Sequence, residues 1–412
     1  MVEVTNYIDR LVAELCPDGV EYRPLGDVVE KNYGGGTPSK AKEEYWGGDI
    51  PWASVGDLSN DLMEIFDTRS KITPAGVSGS STNVVPAGAV IVAIKIAPGK
   101  MKIAGVDLAI NQDIRGLVLN DLMNARFLTY YFRTLRFAGH GTIVKSITNK
   151  RLMDTEVPVP PLEIQEAIVE ILDKFTNLEA ELEAELEART LQYEYYRDSL
   201  FEALDCPRVP LGELGKFYGG LKGKTKNDFG SSGARYISYK NVYENISADF
   251  TWPDFVQVKE GENQLSLMKG DILLTGSSEN MEEAGLSSVV TKEPEEKAYL
   301  NSFSICYRLN DPNILNPEFS KYLFRSRLAR KQIIRTAQGV TRFNVSKKKL
   351  ANVSIPIPSL EEQQRIVDIL DRFDALTSSL SEGLPAELAA RRSQYEYYRD
   401  QLLSFPRKGE NQ

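Results

Sequence analysis

The sequence predicts an α+β protein: two domains, each a mostly antiparallel sheet with short helices, joined by two long helices that pair antiparallel as a coiled coil, the whole a pseudo-twofold internal repeat. Three observations predict it. A signature, Val157-Pro-Val-Pro-Pro-Leu-Glu-Ile-Gln-Glu-Ala-Ile-Val-Glu-Ile-Leu-Asp-Lys-Phe175, returns as Ile355-Pro-Ile-Pro-Ser-Leu-Glu-Glu-Gln-Gln-Arg-Ile-Val-Asp-Ile-Leu-Asp-Arg-Phe373 at an offset of 198, and Gln192-Tyr-Glu-Tyr-Tyr-Arg-Asp198 returns unchanged as Gln394-Tyr-Glu-Tyr-Tyr-Arg-Asp400 at an offset of 202. Each signature opens a tract whose apolar residues fall mostly three or four apart, the spacing of one helix face. The stretches before the tracts carry short runs of Val, Ile, Thr and aromatics punctuated by Gly and Pro, the pattern of strands and turns.

The first domain is expected over 1–160, with a strand in 89–96 and a helix over 124–136. The first long helix follows over 161–206. Ile168, Ile171, Phe175, Leu178, Leu182, Leu186, Tyr193, Tyr196 and Leu200 make its apolar seam, Pro160 and Pro161 stand at its entry, where a missing N–H costs nothing, and Pro207 ends it. Roughly 40 helical residues extend about 60 Å. The second domain is expected over 207–357, with strands in 271–275 and 303–309 and one helix over 317–335. The second long helix, 358–405, repeats the seam with Ile366, Ile369, Phe373, Leu376, Leu380, Leu388, Tyr395, Tyr398 and Leu402, and 406–412 form a tail. Gly383 and Pro385 should kink or interrupt this helix. Each seam needs a partner and the other tract offers one. Chain order makes the pair antiparallel and brings both termini to the first domain.

The repeat extends upstream more weakly. Pro24-Leu-Gly26 matches Pro210-Leu-Gly212, Trp52-Ala-Ser-Val-Gly-Asp57 stands opposite Tyr236-Ile-Ser-Tyr-Lys-Asn241, and 111–120 lies opposite 301–310. Divergence is confined to the domains while the tracts stay nearly fixed, as two copies with different binding tasks require. Leu178-Glu-Ala-Glu, Leu182-Glu-Ala-Glu and Leu186-Glu-Ala-Arg form a tandem tetrapeptide in the first helix. Each unit adds about 6 Å of helix, so this helix is expected to act as a ruler.

Composition excludes several classes of function. No run approaches the roughly 20 apolar residues of a membrane span, and the start lacks a secretory pattern, so a cytoplasmic protein is expected. Cys16, Cys206 and Cys306 are far apart without a Cys-x-x-Cys pair, which indicates neither disulfides nor zinc. His140 is the one histidine, too few for a histidine-based triad or a multi-histidine metal site. Gly219-Gly-Leu-Lys-Gly-Lys-Thr225 resembles a phosphate loop, but Tyr218 stands where its first glycine is required, and Gly34-Gly-Gly36 reads as a flexible loop. No catalytic residue, metal or cofactor is therefore expected in this chain. The net charge of −9 hides a division: −10 over 161–206 and −4 over 358–405, against +6 over 207–357.

Two segments at corresponding places are basic and free of acids: 126–153 with six Lys or Arg residues, and 321–349 with ten. Neutralising phosphates releases counterions, and an acid-free cationic segment suits that task, so double-stranded DNA is the expected ligand. Each segment holds a glycine-led polar loop, 141–149 and 339–347, with hydroxyl, amide and cationic side chains. The candidate DNA-binding residues are Lys145, Ser146, Asn149, Lys150 and Arg151 in the first, and Arg330, Arg335, Arg342, Asn344, Ser346 and Lys347 in the second. Base-reading residues should lie elsewhere on the divergent surfaces.

The domain-helix-domain-helix order, the Pro-Leu-Gly starts, the Pro-x-Pro-x-Leu-Glu-x-Gln-x-x-Ile-Val-x-Ile-Leu-Asp-x-Phe signature and the Gln-Tyr-x-Tyr-Tyr-Arg-Asp ends resemble the specificity subunits of Type I restriction-modification systems. The resemblance covers essentially the whole chain. It implies two target-recognition domains, each reading one half of a bipartite, asymmetric DNA site across a spacer set by the helices. It also implies assembly with two modification (methyltransferase) subunits that bring S-adenosylmethionine, and with restriction subunits that translocate using ATP and Mg. A scaffold joining protein partners through the coiled coil is the alternative, and it has no use for paired acid-free basic segments.

Overall fold

The structure, a computed structural model, describes residues 2–60, 62–137, 146–377 and 383–409, with side chains from residue 7 onward. It comprises two compact units, Met1–Glu181 with Leu388–Gln412, and Leu182–Glu387.

In the first unit a five-stranded sheet runs Val29–Gly34, Ile114–Leu119, Val90–Ala93, Met101–Ala104, Glu64–Ile65. All pairs are antiparallel except the last. Alternate side chains of the central strand go to opposite faces. Val90 and Val92 join the cluster under helix Ala125–Thr134, while Ile91 and Ala93 pack with Ala53, Val55 and Leu58 on the other face. Asn124 starts that helix by accepting from the Arg126 and Phe127 N–H groups. A second sheet orders Ser70–Ile72, Trp46–Ala53, Leu108–Ile110 and Val84–Val85.

The second unit repeats the plan. Gly215–Gly219, Ser304–Leu309, Ile272–Thr275 and Ser287–Val289 form an antiparallel sheet, with Ile272 and Leu274 on one face and Leu273 on the other. One expectation is corrected: the helix over 317–335 is two helices, Pro317–Leu323 and Arg327–Ile334. The break falls at buried Ser326, whose hydroxyl donates to the Leu323 carbonyl at 2.6 Å and accepts from the Ala329 N–H. A side-chain hydroxyl that serves both ends replaces the main-chain bonds a continuous helix would make.

The first long helix, Leu162–Glu202, is unbroken over 41 residues. In the first unit Phe175 stacks on Tyr398 at 5.8 Å and Arg392 donates to Glu179 at 2.6 Å, so one helix advances as the other recedes, the antiparallel arrangement. In the second unit Tyr196 and Tyr193 lie 5.4 and 6.5 Å from Phe373. The Phe of each signature thus meets the Tyr of the other. In the second tract the described helices are Leu360–Thr377 and Leu384–Leu402; 378–382 lie outside the described residues, and Gly383, with φ +103°, precedes the second helix. A Cβ there would come within 2.5 Å of the Ala375 carbonyl, so only glycine fits.

Each domain is fixed to its helix by the same pair of contacts. Gln165, fully buried, accepts from the Asn124 N–H at 2.8 Å and donates to the Leu122 and Pro160 carbonyls at 2.9 and 2.7 Å. Gln363, equally buried, accepts from the Asn316 N–H at 2.7 Å and donates to the Ile314 and Pro358 carbonyls at 2.9 and 3.0 Å. Farther along each helix, the Tyr130 hydroxyl donates to Asp173 and that of Tyr322 to Asp371, each at 2.6 Å. Burial first and the carboxylate second push both phenols up, so both stay neutral donors. The Gln and the Asp two residues before the final Phe of the repeated signature, Asp173 and Asp371, are therefore the residues that hold the short domain helix to the long helix.

A helix not expected from the sequence, Val2–Leu15, opens the first unit. Ile8, Leu11 and Val12 pack in the cluster that contains Leu402, Leu403 and Phe405, and Val20 bridges Arg407. The i, i+3, i+4 spacing of those three residues was its visible signal. Among the described residues no helix is long and apolar enough to cross a membrane.

Candidate nucleic-acid interface

In each unit the chain that follows the domain helices returns to the same rim of the sheet. In the first, that rim is where Val29–Gly34 and Val90–Ala93 end and Ile114–Leu119 begins. There the Ile147 N–H donates to the Ile94 carbonyl at 2.8 Å and Ser146 bridges Lys95. In the second, Gly215–Gly219 and Ile272–Thr275 end where Ser304–Leu309 begins. The Val345 N–H donates to the Gly276 carbonyl at 2.9 Å and Asn344 pairs with Ser277. Ser146 and Asn344 stand apart by the signature's own offset of 198, so the two contacts are one repeated feature. A capped helical turn follows each: Thr148 caps Asn149–Met153 and Ser346 caps Lys347–Leu350.

The sequence candidates divide on this frame. Lys145 lies outside the described residues, as does His140. Ser146 is half-buried in the bridge; Asn149, Lys150 and Arg151 are exposed on the first capped turn. Asn149 accepts from Asn32 Nδ2 at 3.1 Å, and Asn32 Oδ1 accepts from Arg115 Nε at 2.8 Å. Asn32 and Arg115 thus join the rim although neither stands in a basic segment, and burial holds the Arg115 guanidinium below its ordinary pKa. In the second unit Arg335, Arg342, Asn344 and Lys347 are exposed. Arg342 Nε donates to Ser277 Oγ at 3.3 Å, and the Ser346 hydroxyl accepts from the Lys349 N–H in its capping role.

Arg330 is engaged within its own unit. Its guanidinium donates to the carbonyls of Gly285, Glu282 and Ala284 at 2.7, 2.7 and 2.9 Å, and burial takes its pKa down to about 10. A fork committed to three main-chain carbonyls holds a turn and has little left for a phosphate. The same holds for other cations of 321–349: Arg325 donates to the Ser287, Val242 and Tyr243 carbonyls, Arg327 grips Glu202, and Lys321 pairs with Glu318 and Asp371. These acceptors come from other parts of the chain, so the segment that looks acid-free in sequence is not acid-free in space.

Gly34-Gly-Gly36 is also corrected. Gly34 ends a strand, a Cβ on Gly35 would collide with the Asn111 carbonyl, and Gly36 is buried with its carbonyl accepting from Trp52 Nε1 at 3.0 Å. Gly220 stands against the Asn301 carbonyl in the same way. Close approach, rather than flexibility, requires glycine at the rim.

The family model for the Type I restriction modification DNA specificity domain matches this chain twice, over residues 17–188 and 206–390. The chain belongs to that family. Among its relatives, the EcoR124I/EcoR124II specificity subunit of Escherichia coli is 36% identical over 299 residues, covering 68% of this chain and 71% of that protein. The EcoprrI specificity subunit, also of Escherichia coli, is 27% identical over 411 residues, covering 92% of each. A solved structure concerning complex assembly and conformational transition of the type I R-M system aligns with a TM-score of 0.65 at 17% identity, over 93% of this chain and 97% of that one. The HsdS subunit of Thermoanaerobacter tengcongensis aligns with a TM-score of 0.50 at 17% identity, over 96% and 98%. Both alignments run over more than nine-tenths of this chain, which therefore shares its fold with these structures.

Proposed function

We propose that this chain is the sequence-reading subunit of a Type I restriction-modification complex, with target-recognition domains at 1–160 and 207–357 and spacer helices at 161–206 and 358–405, each domain reading one half of a bipartite site on double-stranded DNA. The observation that carries this is the repeated rim, where a polar, cationic turn is pinned to the sheet by the same main-chain bond in both domains. The surrounding surfaces differ between copies, which suits an asymmetric target. The helices set the spacer and dock two modification subunits; restriction subunits join that assembly. The chain itself is non-catalytic and cytoplasmic, and S-adenosylmethionine, ATP and Mg are held by the partner subunits.

Selection from a random duplex library by the chain co-purified with a modification subunit tests this reading. A motif with two different half-sites around a fixed spacer is expected; retention without sequence dependence would sink it. Arg342→Ala should then weaken binding to specific and random duplex alike. Removing one cation from a phosphate makes the slope of log K against log salt shallower by about 0.9. An unchanged slope would remove Arg342 from the interface.

A further inference from the structure

The second rim carries an exposed aromatic ring. Phe303 is 63% exposed, an unusual place for a ring, yet its backbone is held on both sides. Its N–H donates to Asn301 Oδ1 at 2.9 Å, and Asn301 is itself buried and bonded to the Ile237 carbonyl and Ser304 Oγ. Its carbonyl accepts from the Gly276 N–H at 2.9 Å, so close that a Cβ on Gly276 would be 2.5 Å from that oxygen. The same Gly276 receives Val345, and its neighbour Ser277 receives Arg342. On the other side Leu221 donates to Leu300, which carries Lys222 to this rim, and Lys347 Nζ lies over Gly219. Burial and Lys222 together depress the Lys347 ammonium, as expected of two cations sharing one patch.

An exposed aromatic ring on a fixed backbone, on the rim that also carries Arg342, Lys222 and Lys347, fits a ligand that is polyanionic at its edge and flat and apolar within. We infer that Phe303 is a wedge that enters between two stacked base pairs of the half-site read by the second domain, while the surrounding cations hold the flanking phosphates. This rests on the DNA-reading function proposed above. At the corresponding place in the first domain stands Asp113, whose N–H meets Asn111 Oδ1 at 3.1 Å just as Phe303 meets Asn301, and whose carboxylate pairs with Lys95 at 3.0 Å. The ring at this place should therefore open a step in the half-site read by the second domain.

The test uses the full chain complexed with its modification subunit and the selected duplex, with 2-aminopurine or pyrrolocytosine placed at each step of both half-sites. Wild type should show a several-fold fluorescence rise at one step of one half-site. Phe303→Ala should lose that rise and bind the selected site about tenfold more weakly at an unchanged salt slope; Phe303→Leu should keep part of both. The ring is exposed, so the thermal midpoint of Phe303→Ala should match wild type. If no step brightens in wild type, or if every bright step persists in Phe303→Ala, the wedge is wrong. A wild type that selects no sequence at all defeats the DNA-reading function instead.

Discussion

Replacing Gln363 by leucine should lower the thermal midpoint of the second unit's unfolding by roughly 6–12 °C, on the basis of about 3 kcal/mol of destabilisation and about 2–4 °C per kcal/mol in a domain of this size. The buried amide satisfies one N–H and two carbonyls, from Asn316, Ile314 and Pro358. Leucine fills the space but leaves all three without partners in a site closed to water, and the penalty of each unpaired group exceeds the value of the bond it made. Gln363→Glu should not rescue, because a carboxylate still accepts from Asn316 but faces two carbonyls with no proton to give. Gln165→Leu should do the same to the first unit through Asn124, Leu122 and Pro160. Differential scanning calorimetry decides the matter: midpoints within about 2 °C of wild type for both leucine variants would show that the amides are dispensable.

Deleting residues 182–185 should shorten the spacer of the selected DNA motif by about one or two base pairs while leaving both half-sites intact. The deletion removes one tetrapeptide from the unbroken helix Leu162–Glu202, places Leu186 where Leu182 stood, and keeps Glu179 for Arg392. Four residues are about 6 Å of axial rise with a net turn of about 40°, a change comparable to a step or two along a duplex. Motif selection, or methylation mapping in cells that also express the modification subunit, reads the result. An altered half-site, or an unaltered spacer, would refute the ruler.

The long helices were legible because their pattern is periodic and duplicated, and the central strands because continuous apolar runs need two covered faces. What escaped the sequence depended on acceptors that arrive from afar. Arg330 looked like a phosphate ligand until the carbonyls of 282–285 were brought beneath it, some 45 residues back along the chain. Ser326 ended one helix and capped the next through its hydroxyl, a helix-start signal hidden inside a run that otherwise reads as one helix. Asn32, Arg115 and Phe303 lie in strands or turns outside the basic segments, and only the closing of each sheet carries them to the rim. The glycines of the two rims were visible as composition, but the carbonyl that stands opposite Gly35 and Gly220 was not.

The Gln and Tyr–Asp contacts have a consequence for how such a chain can change. Both domains dock on their helices through one set of polar sockets set in an apolar seam, so the junction makes the same demands in each unit. A domain that carries the capping asparagine, the phenol and the apolar residues around them should fit the helix of either resident one. A chimera that keeps these groups and the apolar seam between them should therefore fold, and should differ from the parent in one half of its target alone.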